Sequence, residues 1–226
     1  MTSPAGDAPG YDGPGSGGPG SDAAPGHYFS HDPASVSAPS AIDVVLPDMS
    51  VRMTTDRGVF SAEHLDAGTK LLLLTVPDIE PGDRTVLDLG CGWGAIACVT
   101  ARRAPHAETW AVDVNRRALD LTAANAEALG VEVKVATPTG VPADLEFDRI
   151  LSNPPIRIGK PALHELLDKW LDRLTPTGRA HLVVQRHLGS DSLARWLTER
   201  GHPVERLTSR AGYRVLEVGA RDRDRS

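Results

Sequence analysis

Short apolar runs and longer amphipathic segments alternate along most of the chain. The runs at 86–89, 109–112 and 147–152 have the length and apolar content of buried strands. In the segment 161–174, leucines and Trp170 recur at three- and four-residue spacing, which predicts an amphipathic helix whose apolar side packs in the core. Strands that alternate with helices in this way predict an α/β fold with a mostly parallel sheet.

The remaining segments complete this pattern. An apolar strand over 179–185 is predicted to follow that helix, and the chain then continues into a helix over 191–200 and a hairpin over 204–218. Near the N-terminus, two further strands are predicted on either side of Pro47 and Asp48. Other helices are predicted over 65–74, 95–104 and 116–129.

Composition separates an N-terminal tail from the domain. Residues 1–26 are rich in Gly, Pro, Ser and Ala and have almost no large apolar side chains, so we predict that they are disordered. They lack the basic and apolar regions of a secretory signal. The domain is predicted over 27–218, with 27–60 as an N-terminal hairpin extension. Residues 219–226, whose charges alternate in sign, are predicted to be a frayed end.

Charge and cysteine content limit the function classes. The formal net charge of −6 is not typical of a nucleic-acid-binding protein, although Asp7, Asp12 and Asp22 in the tail contribute half of it. No apolar run approaches the length of a membrane span, so we expect no membrane association. Cys91 and Cys98 fit neither a disulfide framework nor a metal site, which favours the reducing cytoplasm and a chain without metal.

A glycine-rich turn follows the strand at 86–89. Gly90, Gly92 and Gly94 let the chain turn tightly beneath a ligand, and the helix that follows would point free N–H groups toward it. Similar turns occur in dinucleotide-binding folds and in plain loops. Asp88 stands two residues before the first glycine, where it suits a cationic or amino-bearing ligand and would repel a pyrophosphate. The turn therefore disfavours a nucleotide-binding dehydrogenase.

Asp113 stands at the carboxyl end of the next predicted strand, 109–112. In dinucleotide-binding folds, an acidic residue at this place, about twenty residues after the glycines, hydrogen-bonds the ribose hydroxyls. A carboxylate just before a helix is also typical of an N-cap. Because the glycine turn precedes it, we favour the ribose-binding interpretation.

A rigid polar tetrapeptide, Asn153-Pro154-Pro155-Ile156, ends the predicted strand over 147–152. The prolines fix φ and restrict the residue before them, so the Asn153 side chain is held in one direction. Its side-chain oxygen and the Pro154 carbonyl can grip both hydrogens of one NH2 group and turn the nitrogen lone pair toward an electrophile. In isolation the same residues more often form an ordinary turn. Beside a glycine turn they favour an amine-binding site.

Together these segments resemble a known family, the class I S-adenosylmethionine (SAM)-dependent methyltransferases with a small-methyltransferase domain. The similarity is greatest to the group of small-subunit rRNA guanine-N2 methyltransferases and their one-domain archaeal relatives, and it covers about 27–218. It implies a Rossmann-like fold with a mostly parallel seven-stranded sheet, a C-terminal antiparallel hairpin and a short N-terminal hairpin. The matching positions are 58–61, 65–69, 88–94, Asp113, 152–160 and 212–216.

The resemblance implies a role for each matching residue. It places the methionine part of SAM on the glycine turn, the ribose at Asp113, and the amine to be methylated at Asn153 and Pro154. The residues of the turn that would bind SAM are Asp88, Gly90, Gly92 and Gly94. The residues that would contact the substrate around the amine are Pro155, Ile156, Arg157 and Lys160.

Two positions depart from the family pattern. Relatives often have an aromatic residue after Pro-Pro that stacks on the substrate, whereas this chain has Ile156, whose aliphatic face stacks less well on a base. The position that binds the adenine edge is often acidic in relatives, whereas 135–138 contains no acid. Thr137 or the backbone would serve there. The substrate is therefore less firmly indicated than the reaction.

Basic residues near the tetrapeptide and in the last hairpin allow two interpretations. A local basic rim could hold RNA phosphates despite the negative net charge. Solvated surface arginines are an equally good interpretation. The residues concerned are Arg157, Lys160, Arg186, Arg210 and Arg214.

The sequence thus predicts a cytoplasmic SAM-dependent N-methyltransferase that acts on an exocyclic amine, with guanine N2 in rRNA as the favoured target. A protein glutamine or a small-molecule amine is the alternative substrate, and a non-catalytic SAM- or RNA-binding module is the third interpretation. Intact Asp88, Asp113 and Asn153 argue against the third. The family's rRNA enzymes use a second, degenerate domain for substrate binding. Here we expect recognition by the hairpin region, the tail or a second subunit, as in a homodimer.

Overall fold

The computed structural model describes Met1 and residues 36–221 of the chain. The predicted tail therefore lies outside the described residues except for Met1, and so do 27–35 and 222–226. The strands are β1 (Ser40–Val45), β2 (Ser50–Thr55), β3 (Thr85–Leu89), β4 (Glu108–Val112), β5 (Lys134–Ala136), β6 (Phe147–Ser152), β7 (Leu174–Gln185), β8 (Val204–Arg210) and β9 (Tyr213–Gly219). The helices are α1 (Ala67–Thr75), α2 (Ala95–Arg103), α3 (Arg116–Leu129), α4 (Lys160–Leu171) and α5 (Ser190–Glu199).

A seven-stranded sheet in the order β5-β4-β3-β6-β7-β9-β8 forms the centre of the molecule. The first five strands in that order are parallel, and β9 pairs antiparallel with both β7 and β8. β1 and β2 form a separate two-stranded antiparallel sheet. This architecture confirms the predicted fold class, including both hairpins.

The strand order reverses between β3 and β6. From β3 the chain moves outward through β4 and β5, and it then returns to the other side of β3 as β6. Asp88 pairs in register with Leu151, so the residues after β3 lie beside those after β6. In open α/β sheets, ligands bind outside the carboxyl ends of the strands at such a reversal. The glycine turn follows β3 and Asn153 follows β6, so both lie at this reversal of the strand order.

The helix predicted over 161–174 is shorter than its apolar pattern suggests. α4 ends at Leu171, and Leu174 instead begins β7, where it pairs with Phe147. Leu174 is 1% exposed, so its burial was predicted correctly but its element was wrong. The reason is that Leu174 follows Leu171 by three residues, which is also the spacing of buried positions in a helix. A leucine buried in the next strand therefore looks like one more buried position of the helix.

One side chain of α3 links the small sheet to the domain by hydrogen bonds. The Asn125 carboxamide accepts a hydrogen bond from the Thr54 N–H at 2.7 Å and donates to the Thr54 carbonyl at 2.8 Å. It also donates to the Trp93 carbonyl at 2.8 Å. Asn125 is 2% exposed, so these bonds are shielded from water. Through this contact, the N-terminal hairpin is tied to the glycine turn.

Four further features bear on the predictions. Cys91 and Cys98 are free, buried thiols. Between residues 36 and 221, no helix is long and apolar enough to cross a membrane, and no group of three or more His, Cys, Asp or Glu could hold a metal ion. At the C-terminus, Arg221 forms an ion pair with Asp172 just beyond the end of β9.

Candidate active site

A small cleft opens at the carboxyl ends of β3 and β6. Its walls come from the loop after β2, the first turn of α1, the glycine turn after β3 and the first residue after β6. The lining includes Phe60, Asp66, Thr69, Gly90, Gly92 and Asn153. The cleft therefore brings the predicted cofactor turn and the predicted amine-binding asparagine to one place.

Gly90 and Gly92 form the floor of the cleft. Both have positive φ, 77° and 56°, which L residues with a side chain rarely adopt. A Cβ added at either would meet no atom within 4 Å. The space above both residues is therefore open to a ligand that approaches the backbone. This arrangement fits the part of SAM that the resemblance places on the turn.

Gly94 needs to be glycine for a different reason. Its φ is 87°, and a Cβ there would lie 2.8 Å from Cγ2 of Thr122 on α3. Gly94 is not among the residues that line the cleft; it is the N-cap residue of α2 and has no side chain with which to cap it. Its role in this structure is to let α2 and α3 approach closely.

The Asp88 carboxyl lies beneath the turn and supplies the missing cap. Its Oδ2 accepts a hydrogen bond from the Ala97 N–H at 2.9 Å in the first turn of α2. Asp88 is only 1% exposed, and its Oδ1 has no hydrogen-bond partner among the described residues. Burial, with a smaller contribution from the negative charge of Asp113, raises the pKa of Asp88 to about 8. Asp88 thus shapes the turn from below.

Asp113 holds the glycine turn from the side. One carboxylate oxygen accepts from the Gly92 N–H at 3.0 Å, and the other accepts from the Asn115 N–H at 2.9 Å. Burial raises its pKa although these backbone bonds oppose the shift. The N-cap of α3 is Asn115, whose side chain accepts from the Arg117 N–H, so the N-cap interpretation of Asp113 is wrong. Its ribose role stays a prediction.

Asn153 is held by α1, on the opposite wall of the cleft. Its Nδ2 donates to Oδ2 of Asp66 at 2.8 Å and to Oγ1 of Thr69 at 3.0 Å. Asp66 is also the N-cap of α1 and accepts from the Thr69 N–H at 2.9 Å. Ser152, just before Asn153, donates to the Leu89 carbonyl at 2.7 Å and aligns the two strand ends.

The Pro154 carbonyl is already used once within the tetrapeptide. It accepts a hydrogen bond from the Ile156 N–H at 2.8 Å, and Pro155 between them has φ −74° and ψ 77°. These values are those of an inverse γ-turn. A carbonyl oxygen has two lone pairs, so one acceptor site remains for a substrate amine. The turn fixes the direction of that carbonyl.

Two of the residues predicted to contact the substrate line a different cavity. Ile156 and Lys160 line a second small cleft, together with His164, whose ring stacks on Trp196 at 3.8 Å between centroids. Arg157 is exposed in the short 3-10 turn between the tetrapeptide and α4. The tetrapeptide thus separates two neighbouring clefts.

Thr137 and Arg214, which the sequence also placed near the site, do not line the first cleft. Thr137 follows β5, and its Oγ1 lies 3.3 Å from Oγ1 of Thr139. Arg214 of the predicted basic rim donates to Ser190 Oγ at 3.0 Å and forms an ion pair with Asp191, so its charge is already partnered.

Sequence reasoning missed the α1 side of the cleft. Phe60, Asp66 and Thr69 belong to the matching segments 58–61 and 65–69 but are not among the predicted site residues, although Phe60 is 54% exposed at the cleft. An aspartate shortly ahead of an apolar helical run is typical of a helix N-cap and could have located the start of α1. Nothing in the local sequence indicates its partner, Asn153.

Comparison with known proteins gives the same family. A profile of the methyltransferase small domain matches residues 50–217. The uncharacterised protein YbxB of Bacillus subtilis (strain 168) is 32% identical over 198 residues, which cover 85% of this chain and 97% of that protein. Ribosomal RNA small subunit methyltransferase C of Hahella chejuensis is 33% identical over 175 residues, 75% of this chain and 49% of the relative. This chain thus spans about half the length of that relative.

A solved structure agrees. The T. thermophilus 16S rRNA N2 G1207 methyltransferase, in complex with AdoMet and guanosine, superposes with a TM-score of 0.72 at 25% identity and covers 81% of this chain and 51% of its own. These findings confirm the predicted enzyme class, a SAM-dependent methyltransferase with SAM as its cofactor. The chain belongs to the methyltransferase small domain family.

Proposed function

We propose that this chain methylates the exocyclic amine N2 of guanine in rRNA, in the cytoplasm. The observation that carries the proposal is that Asn153 and the bare glycine turn line one cleft at the reversal of the sheet. The similarity to rRNA small subunit methyltransferases, and to a relative solved with AdoMet and guanosine, supports guanine as the substrate.

One wall of the cleft would bind SAM, and the other would orient the substrate amine. Gly90 and Gly92 would hold the methionine part of SAM against the backbone, and Asp113 would bind the ribose with the lone pairs that its two backbone bonds leave free. When bound, SAM supplies an electrophilic methyl group. Because Asp113 is held by bonds on both oxygens, its carboxylate is oriented before any ligand arrives.

On the other wall, Asn153 and Pro154 would orient the amine. The Asn153 Nδ2 is occupied by Asp66 and Thr69, so the acceptor Oδ1 is the atom left for a substrate N–H. The remaining lone pair of the Pro154 carbonyl would take the second N–H. Holding both hydrogens directs the nitrogen lone pair toward the glycine turn, and this positioning requires no side chain of shifted pKa.

Nucleoside mass spectrometry of rRNA and tRNA from a strain without the gene tests the substrate. We expect one N2-methylguanosine to be lost from small-subunit rRNA, and we expect purified protein with radiolabelled SAM to restore it on subunits from that strain. Loss of methylation from a protein glutamine or a metabolite, with rRNA unchanged, would move the substrate to the alternative class. SAM binding with no labelled product in any fraction would indicate a non-catalytic module.

A further inference from the structure

The amine-binding role proposed for Asn153 depends on the orientation of its carboxamide. A carboxamide has an oxygen that only accepts and an NH2 that only donates, and a rotation of 180° exchanges them. In the rotated state, the NH2 group would meet the substrate amine, and two donors would face each other. Only one of the two orientations can therefore grip an amine, and something must select it.

Asp66 is placed to make that selection. A carboxylate offers acceptors only, and its Oδ2 receives the Asn153 Nδ2 at 2.8 Å. The rotated carboxamide would point its own oxygen at this carboxylate, which is repulsive. The Thr69 hydroxyl, 3.0 Å from the same nitrogen, accepts in this orientation but could equally donate to the oxygen of a rotated carboxamide. The carboxylate of Asp66 is therefore the group that favours the orientation that leaves Oδ1 free.

The carboxylate is itself held firmly. Its Oδ2 accepts the Thr69 N–H at 2.9 Å as the cap of α1. Behind it, a Cβ added to Gly68 would lie 2.7 Å from Cε1 of Tyr213 and 2.9 Å from Asp66 Oδ2, so the first turn of α1 is packed directly against β9. Asp66 therefore cannot move away from Asn153 without disturbing the helix start.

We propose that Asp66 is a positioning residue, which locks the Asn153 carboxamide with its oxygen toward the substrate amine. The proposal rests on the methyl transfer proposed above and adds the group that makes Asn153 competent for it. Asp66 acts through Asn153, so its removal is expected to lower the rate of methyl transfer and to leave SAM affinity unchanged.

Exchanging the two side chains provides the sharpest test. Asn153→Asp places two carboxylates in contact, so we expect about a hundredfold loss of methyl transfer and a lower urea midpoint at neutral pH, because like charges at this distance cannot both ionise. The double variant Asp66→Asn with Asn153→Asp restores a donor facing an acceptor, although that NH2 group cannot also accept the Thr69 N–H as Asp66 Oδ2 does. We expect it to regain at least about tenfold in rate and part of the lost midpoint.

Two single variants separate positioning from structure. Asp66→Ser keeps an oxygen that can cap α1, but its hydroxyl can donate or accept, so neither orientation of Asn153 is selected. We expect the rate to fall about tenfold to a hundredfold, the value of a hydrogen bond to a charged group, with SAM affinity unchanged. Asp78→Ser removes an exposed carboxylate just beyond the same helix and serves as the matched control, with full rate and midpoint.

Three results would overturn the proposal: a double variant whose midpoint is no better than that of Asn153→Asp, full transfer by Asp66→Ser, or a loss of SAM affinity in proportion to rate. If the wild-type protein methylates no RNA, the function proposed above fails. The urea midpoints of the exchange then decide the contact by themselves, because they require no substrate.

Discussion

The two walls of the cleft hold their functional side chains over very different distances along the chain. On the cofactor side, Asp88 bonds to the N–H of Ala97, nine residues further on, within one strand–turn–helix unit. On the substrate side, Asn153 bonds to Asp66, 87 residues earlier. The first contact is made by local folding, whereas the second exists only once α1 has packed against the end of β6.

This difference predicts which function is lost when either wall is altered. The cofactor side is built from carboxyl groups that accept backbone N–H groups, so it is preserved wherever the unit folds. The substrate side is built from side chains that meet across the sheet, and it depends on the packing of α1. We therefore expect substitutions to affect SAM binding and methyl transfer separately.

Asn153→Ala should separate the two walls most clearly. Removing one of two preoriented acceptors costs roughly 3–4 kcal/mol in the transition state, a hundred- to thousandfold in rate. SAM affinity should stay close to that of the wild type. Radiolabelled transfer to subunits from the deletion strain, beside calorimetric SAM titrations, measures both. A loss of SAM affinity that matches the loss of rate would place Asn153 in the cofactor wall.

Asp113→Ala should give the opposite result. Losing charge-assisted bonds to two ribose hydroxyls should weaken SAM binding by roughly 1.5–3 kcal/mol, about tenfold to a hundredfold. Titration calorimetry measures the affinity. Asp120→Ala removes an exposed carboxylate from α3 and is the matched control. Equal SAM affinity in both variants would exclude Asp113 from the cofactor site.

Gly94→Ala tests whether the cofactor wall depends on packing as well as on the backbone. Gly130→Ala is the matched control, because Gly130 also has positive φ but a Cβ there would meet nothing within 4 Å. Both variants carry the left-handed cost of about 1–2 kcal/mol. Gly94→Ala should cost about 1–3 kcal/mol more by overpacking against Thr122. Equal urea midpoints would mean that Thr122 moves aside without cost.

The buried carboxyl of Asp88 predicts a pH dependence of stability. Its pKa is raised from the ordinary 3.8 to about 8 in the folded protein. The folded state therefore keeps a proton that the unfolded state loses, so this contribution to stability is fully present below the unfolded pKa and is lost as pH rises through about 8. Relative to Asp88→Asn, the wild type should lose unfolding free energy between about pH 5 and pH 8. A constant difference across that range would contradict the raised pKa.

Sequence alone was sufficient for most of the fold, because apolar spacing and the glycine turn are local signals. It located Gly90, Gly92 and Asn153, which the structure brings into one cleft. It could not provide Asp66, because a cap residue carries no mark of its tertiary partner. It also assigned Leu174 to a helix, because the sequence does not distinguish a leucine that is buried in a strand from one that is buried in a helix.

The Asn125 carboxamide on α3 has a consequence for the protein in concentrated solution. It pairs with both the N–H and the carbonyl of Thr54, as a neighbouring strand would, and so occupies part of the free edge of the two-stranded sheet. Unpaired strand edges recruit strands from other chains and lead to aggregation. By satisfying this edge from within the same chain, Asn125 leaves less open backbone for another molecule to extend the sheet.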